Sequence, residues 1–239
     1  MANPLVSVIV AVYNRELFIA EALESIRSQN YQPLELIVID DGSTDRTAEI
    51  VRSQFPEAIY HYHPNQGQPF SMNAGVNLAT GELITFLDSD DLWAPGSLPK
   101  RIDFMMKHPT LDILGGYVQN FVDSSLAGED PRKFKHLDEA IPGYVPSALL
   151  FRKSVFRLVG PFSSQWQVGF FMDWLARLQT LELKIEMQPE LVVLRRIHAH
   201  NKGRMLRGIA IERVAVIKAI LDRRRGLKPS PDPADEAQR

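Results

Sequence analysis

The sequence predicts an α/β fold, a mostly parallel central sheet flanked by helices, ending in a C-terminal helix and a disordered tail. Three observations predict it. Short β-branched runs alternate with helical patterns through the first half, turn residues separate them, and two of the runs end on carboxylates. Strands that alternate with helices imply right-handed crossovers and therefore parallel pairing.

Residues 5–12 (LVSVIVAV) are apolar enough for a strand buried on both faces. Asn14 then stands where a helix cap is needed, and Phe18, Ala22, Leu23 and Ile26 fall on one helical face. Residues 34–40 (LELIVID) supply a second strand. It runs into Asp41-Gly42-Ser43-Thr44, a turn whose hydroxyls can cap a helix over 45–54. A weaker strand follows over 58–63, then a loop at 64–68 and a helix over 72–79 that Gly81 stops. Residues 82–87 (ELITFL) form the fourth strand. Past Asp91 the pattern is less regular: a helix over 97–107, a strand near 112–122 and a Gly-, Pro- and charge-rich mobile loop over 123–142. A strand and short helix cross 145–158, a loop covers 161–169, a helix covers 171–181 and a strand covers 191–197. A last helix over 205–224 would turn Leu206, Ala210, Val214, Ile217 and Leu221 to its apolar side. The Pro-rich segment 226–239 is the expected disordered tail.

A chain of 239 residues can bury one substantial core, so one domain is expected over 1–225. There is no cysteine, which excludes disulfides, thiolate metal sites and a cysteine nucleophile and fits a reducing cytoplasm. Any metal must be held by oxygen or imidazole. The N-terminal residues carry no signal-peptide pattern, and no apolar run approaches the roughly 20 residues that span a bilayer. Contact with a membrane would then be peripheral, at its inner face. A formal net charge of −2 argues against bulk binding of nucleic acid. Basic residues nevertheless crowd the stretch from Arg195 to Lys228, where they meet only Glu212 and Asp222. That stretch is either the solvated face of a packed helix or a surface for anionic lipid.

In a parallel sheet, ligands lie beyond the carboxyl ends of the strands. Those positions here are Tyr13-Asn14, Asp40-Asp41 and Asp88-Ser89-Asp90-Asp91. Such aspartates either shape loops or hold a divalent cation that offsets the charge of a departing nucleotide diphosphate. Hard oxygen ligands suit Mn²⁺ or Mg²⁺.

The run VSVIVAVYNRELFIAEALESIRSQNYQPLELIVIDDGSTDRTAEIV, followed by NQGQPFSMNAGVNLATGELITFLDSDD, resembles glycosyltransferase family 2, inverting transferases with a GT-A fold. The resemblance is dense over residues 6–98 and continues more thinly through GFFMDWLARL and RRIHAHN. It implies a nucleotide-binding half over 1–91 and an acceptor-binding half over 92–225. Tyr13 would lie near the nucleotide base, Asp41 would hydrogen-bond it, and Asp88 would face the ribose or donor sugar. Asp90, the second Asp of the DxD motif, would coordinate Mn²⁺ or Mg²⁺. His198 would reach the metal or the diphosphate, and Arg196 the phosphates. The implied activity is transfer of a sugar from a nucleotide-sugar donor, with a UDP-sugar favoured, to a glycan, lipid-linked sugar, protein or small molecule.

One departure bears on mechanism. Inverting transfer needs a base to take the acceptor's proton, and the Glu-Asp pair that supplies it in the family falls on Phe170-Phe171. Asp173 is the candidate replacement; its other reading is an ion pair with Arg177 at i, i+4. Otherwise the acceptor is already a good nucleophile or another group supplies the base, or the chain is a donor-binding pseudoenzyme or the subunit of a larger transferase.

Overall fold

The computed structural model describes residues 3–199, 201 and 209–225. Strand β1 (Val6–Val12) is buried because it runs between two parallel neighbours, β2 (Leu34–Asp40) and β4 (Leu83–Phe86). Its alternation serves two cores. Val6, Val8, Val10 and Val12 join Ile19, Leu23 and Ile26 of helix α1 (Ile19–Arg27), while Ile9 joins Met72 of helix α3 (Gln68–Leu78) on the opposite face. Strand β3 (Ile59–Tyr62) extends the parallel sheet beyond β2. Helix α2 (Thr47–Gln54) precedes it and buries Thr47 and Val51.

The second half of the chain continues the same sheet with mixed pairing. Strand β5 (Leu92–Trp93) and helix α4 (Ser97–Lys107) lead into β6 (Ile113–Val122), β7 (Ile141–Pro142) and β8 (Leu149–Arg152). Helices α5 (Ser154–Val159) and α6 (Phe170–Leu178), strand β9 (Ile185–Ile197) and helix α7 (Ile209–Arg224) follow. The order across the sheet is β3-β2-β1-β4-β8-β6-β9-β5, with β7 beside β6. Strand β8 runs antiparallel to β4 and β6, β9 runs parallel to β6, and β5 pairs antiparallel with β9. The short β5 pairing matters for the site. It pins the loop after β4, which carries Asp88–Asp91, beside the end of β9, which carries Arg195 and Arg196.

Several expected details take another form. Asn14 does not cap α1; at φ 49 its side chain accepts from the Thr44 amide at 2.8 Å, tying the end of β1 to the turn after β2. Helix α3 begins at Gln68, before the expected start, because Pro69 suits the first helical turn. Strand β9 is longer than expected, starting at Ile185. The segment 123–142 contains two short 3₁₀ turns and β7, and it is laced to β6 by Asn120 N–H to His136 O at 2.9 Å and Gln119 Nε2 to Leu137 O at 2.6 Å.

The apolar side expected for the last helix faces away from the core. Val214, Ile217 and Leu221 are 66%, 47% and 43% exposed, and among the described side chains of α7 the fully buried one is Val216. Glu212 sets this roll, because its carboxylate accepts from the amides of Val168 and Gly169 at 2.7 and 3.2 Å and holds Val216 against Gly169. Leu206, the side chain of Ala210 and the tail 226–239 lie outside the described residues.

Helix α3 lies close on β1 at Gly75, where an added Cβ would come within 2.3 Å of Ile9 Cγ2. Gly75→Ala should therefore destabilise the protein by about 1–3 kcal/mol through overpacking. Thermal unfolding checks this; an unchanged midpoint would mean that α3 can lift from β1 without cost.

Candidate functional site

The ends of β1, β2 and β4 open into one cavity of about 530 Å³, lined among others by Tyr13, Arg15, Asp41, Asp88, Asp90 and Asp91. That volume is in the range of small-molecule sites, about 300–1,000 Å³. Tyr13 is 43% exposed. Asp41 is buried; its carboxylate accepts from the amides of Gln66 and Gly67 at 2.7 and 3.0 Å, which fixes the loop leading into α3. That loop also constrains Gly42, at φ 84, where a Cβ would meet the Asn65 nitrogen at 2.7 Å. Asp88 accepts from Gln68 Nε2 at 3.1 Å.

Asp90 is the electrostatic centre of the cavity. Its Oδ2 lies 3.1 Å from His198 Nε2 and accepts from Arg15 Nε at 3.3 Å. Burial alone would raise its pKa, but the hydrogen bond with His198 and the charges of Arg15 and His198 hold it below the ordinary value. Asp91 goes the other way. Burial, reinforced by the charges of Asp90 and Asp88, pushes its pKa well up, although it accepts from the Arg196 amide at 2.9 Å. His198 itself is fully buried, its ring 4.4 Å from that of Phe18.

Arg196 does not line the cavity. Its guanidinium, 6% exposed, donates to Asp90 O at 3.0 Å, Asp123 Oδ2 at 3.0 Å and Glu21 Oε2 at 2.6 Å. It braces the aspartate loop from behind. The neighbouring Arg195 is the one on the cavity wall, as the two-residue alternation of a strand requires. Arg15 and Gln68 are further cavity residues that sequence reasoning passed over. Arg15 stood in plain view next to Tyr13-Asn14 at a strand end, whereas Gln68 becomes visible only once α3 is known to start there.

Asp173 also stays out of the cavity. It is buried between Arg177 Nε at 3.1 Å and Arg223 Nη2 at 2.7 Å, so it forms the ion pair its spacing allows and does not reach the cavity where a base would act. Phe170 and Phe171, at the positions expected for the base, do line the cavity. Phe171 stacks on Trp174 with ring centres 5.9 Å apart, and Phe170 meets Phe162 edge-on at 5.6 Å. With Met172 and Leu175 they make that wall apolar.

Among the described residues, no group of three or more His, Asp or Glu side chains is arranged to hold a metal. Asp90 Oδ2 and His198 Nε2 form a pair, however, and their 3.1 Å separation suits two neighbouring ligands of one ion. Ligands about 2.1 Å from an octahedral ion stand about 3.0 Å apart. An oxygen and an imidazole also fit the chemistry of Mn²⁺.

A parallel half whose strand ends gather aspartates around one cavity, continued by a mixed half, is the architecture of a GT-A-type transferase. The sequence model described as Glycosyl transferase family 2 matches residues 7–160, and the chain belongs to that family. It is 39% identical over 121 residues to an uncharacterised glycosyltransferase of Haemophilus influenzae, a match that takes in 49% of this chain and 48% of the relative. The chain thus spans about half the length of that curated relative. Among solved structures it is similar to S. aureus TarS 1-349 in complex with UDP-GlcNAc, with TM-score 0.71 and 20% identity over 90% of this chain and 65% of that one. It is also similar to the mannosyltransferase PcManGT from Pyrobaculum calidifontis in complex with GDP-Man and Mn²⁺, with TM-score 0.65 and 20% identity over 97% and 67%. At these identities the two structures establish the likeness of fold.

The placement of Asp173 generates a clear expectation. Asp173→Ala leaves Arg177 and Arg223 without their shared carboxylate and should cost about 1–3 kcal/mol of stability, while nucleotide affinity stays at the wild-type level. Chemical denaturation and calorimetry check the two halves; a large loss of nucleotide affinity in a stably folded variant would return Asp173 to the site.

Proposed function

We propose that the chain transfers a sugar from a nucleoside diphosphate sugar to an acceptor hydroxyl, with inversion at the anomeric carbon and with a divalent cation at Asp90. The observation that carries this reading is the convergence of Asp41, Asp88 and Asp90 on one cavity flanked by Tyr13 and Arg15. Tyr13 supplies an aromatic edge for the base. Asp41 still has acceptor capacity beyond its two backbone amides, since a carboxylate offers about four lone-pair sites. Asp88 and Gln68, which line the same cavity, would meet ribose or sugar hydroxyls.

Asp90 and His198 would hold Mn²⁺ or Mg²⁺, and when bound the cation supplies charge neutralisation for the departing diphosphate. Arg15 and Arg195, the cavity's own guanidiniums near Asp90 and Asp91, supplement it by binding phosphate oxygens. Arg196 contributes by positioning alone. UDP is the favoured nucleotide. The nucleotide-binding half is assigned to 1–91 and the acceptor-binding half to 92–225. A cytoplasmic location is part of the same proposal; among the described residues no helix is long and apolar enough to cross a membrane.

A second reading rests on the aromatic wall. Phe170 and Phe171 cannot accept a proton, and the described carboxylates lining the cavity are those at the strand ends. A donor-binding pseudoenzyme, or the subunit of a larger transferase, would have such a site. Turnover separates the readings: a transferase cleaves a nucleotide sugar in the presence of Mn²⁺ and acceptor, and a pseudoenzyme binds it without cleavage.

Both readings require the nucleotide site. Calorimetry with UDP and Mn²⁺ should show that Asp90→Ala weakens binding about 10- to 100-fold, the effect of losing one charged interaction of about 1.5–3 kcal/mol, and that EDTA does the same to wild type. Equal affinities would remove the metal from the proposal.

A further inference from the structure

Helix α7 is held on the protein by one side and presents an unusual arrangement on the other. Its inner side is anchored by Glu212 on the amides of Val168 and Gly169, by buried Val216 and by Arg223 on Asp173 at 2.7 Å. At about 100° per residue, Arg213, Ile217, Leu221, Val214, Arg225 and Lys218 follow one another across an outward arc of about 140°. All six are exposed. The three apolar side chains occupy the centre and the cations the flanks. The acidic residues of the helix lie elsewhere: Glu212 is on the inner side, and Asp222 is beyond the arc.

We infer that this face is a docking surface for an anionic lipid bilayer. An apolar stripe between rows of Lys and Arg is the pattern by which a helix lies in a membrane interface, its apolar side chains among the acyl chains and its cations at the headgroups. Other occupants fit less well. Two copies paired about a two-fold axis would set Arg213, Lys218 and Arg225 against their own equivalents. Three apolar side chains also fall far short of the roughly 800 Å² per partner of a stable protein interface. A bilayer needs neither shape complementarity nor a large patch, because each cation near its surface adds attraction.

The position gives the docking a consequence. Arg213, at the edge of the stripe, also lines the cavity. A protein resting on α7 would thus hold its cavity next to the headgroups, within reach of an acceptor carried by a lipid. The docking itself stands or falls independently of the transfer reading.

Cosedimentation with vesicles tests it, using phosphatidylcholine alone and phosphatidylcholine with about a third phosphatidylglycerol. Wild type should pellet with the anionic vesicles at low salt and stay in solution with the neutral ones. Ile217→Glu combined with Leu221→Glu should abolish pelleting, and Lys218→Glu and Arg225→Glu should each weaken it about fivefold or more, the effect of losing roughly one unit of surface attraction. These residues are solvent-exposed and away from the cavity, so circular dichroism and UDP binding should remain as in wild type. Wild type that stays in the supernatant, or variants that pellet like wild type, would overturn the inference. So would sedimentation velocity showing a dimer that the Ile217→Glu, Leu221→Glu protein loses, because the stripe would then join two copies.

Discussion

A guanidinium held almost entirely out of water is costly unless protein groups take up its hydrogen bonds, and the candidate site depends on how Arg196 finds them. It draws on three separate parts of the chain: Glu21 of α1, Asp123 after β6 and the backbone oxygen of Asp90. Phe18 and Phe121 flank it, with its charge 5.1 and 4.8 Å from their ring centres. Its own amide donates to Asp91. The aspartate loop is thereby fixed both through its backbone and through one of its side chains. Removing one partner from such a network leaves a buried charge uncompensated, which is why these connections act together.

With the loop fixed, its charges are forced into proximity, and Asp90 and Asp91 resolve the conflict differently. Asp91 is turned inward and pushed toward the neutral form. Asp90 stays ionised because His198 and Arg15 stand at its oxygen. The cavity therefore keeps a negative point with the Arg15 guanidinium beside it, the electrostatic setting a diphosphate and a divalent ion would both use. Its far wall is different in kind. Aromatic packing around Phe162, Phe171 and Trp174 fills the place where a proton acceptor was expected. The strand-end side is thus polar and the aromatic side apolar.

Much of the parallel half was legible from residues alone, since strand burial and strand-end carboxylates are local patterns. Asp41, Asp88 and Asp90 come together as their positions after the strands imply. What escaped was what tertiary packing decides. Arg195 and Arg196 are equivalent in composition, and only the register of β9 on β5 and β6 sends one to the cavity and the other beneath the loop. Asn14 looks like a helix cap in sequence, yet the nearby Thr44 amide outcompetes α1 for its side chain. The apolar stripe of α7 was legible as a stripe, but its direction was not, because Glu212 and Gly169 set the roll of the helix from a distance in sequence.

The proposed function makes the strand-end cavity a nucleotide-diphosphate site organised on Asp90 and His198. Crystals grown with UDP and MnCl₂ and measured at the manganese edge would locate both ligands. An anomalous peak is expected at bonding distance from the Asp90 carboxylate and His198 Nε2, with the diphosphate beside Arg15 and the base between Tyr13 and Asp41. Manganese bound away from Asp90, or UDP bound outside the cavity, would contradict it.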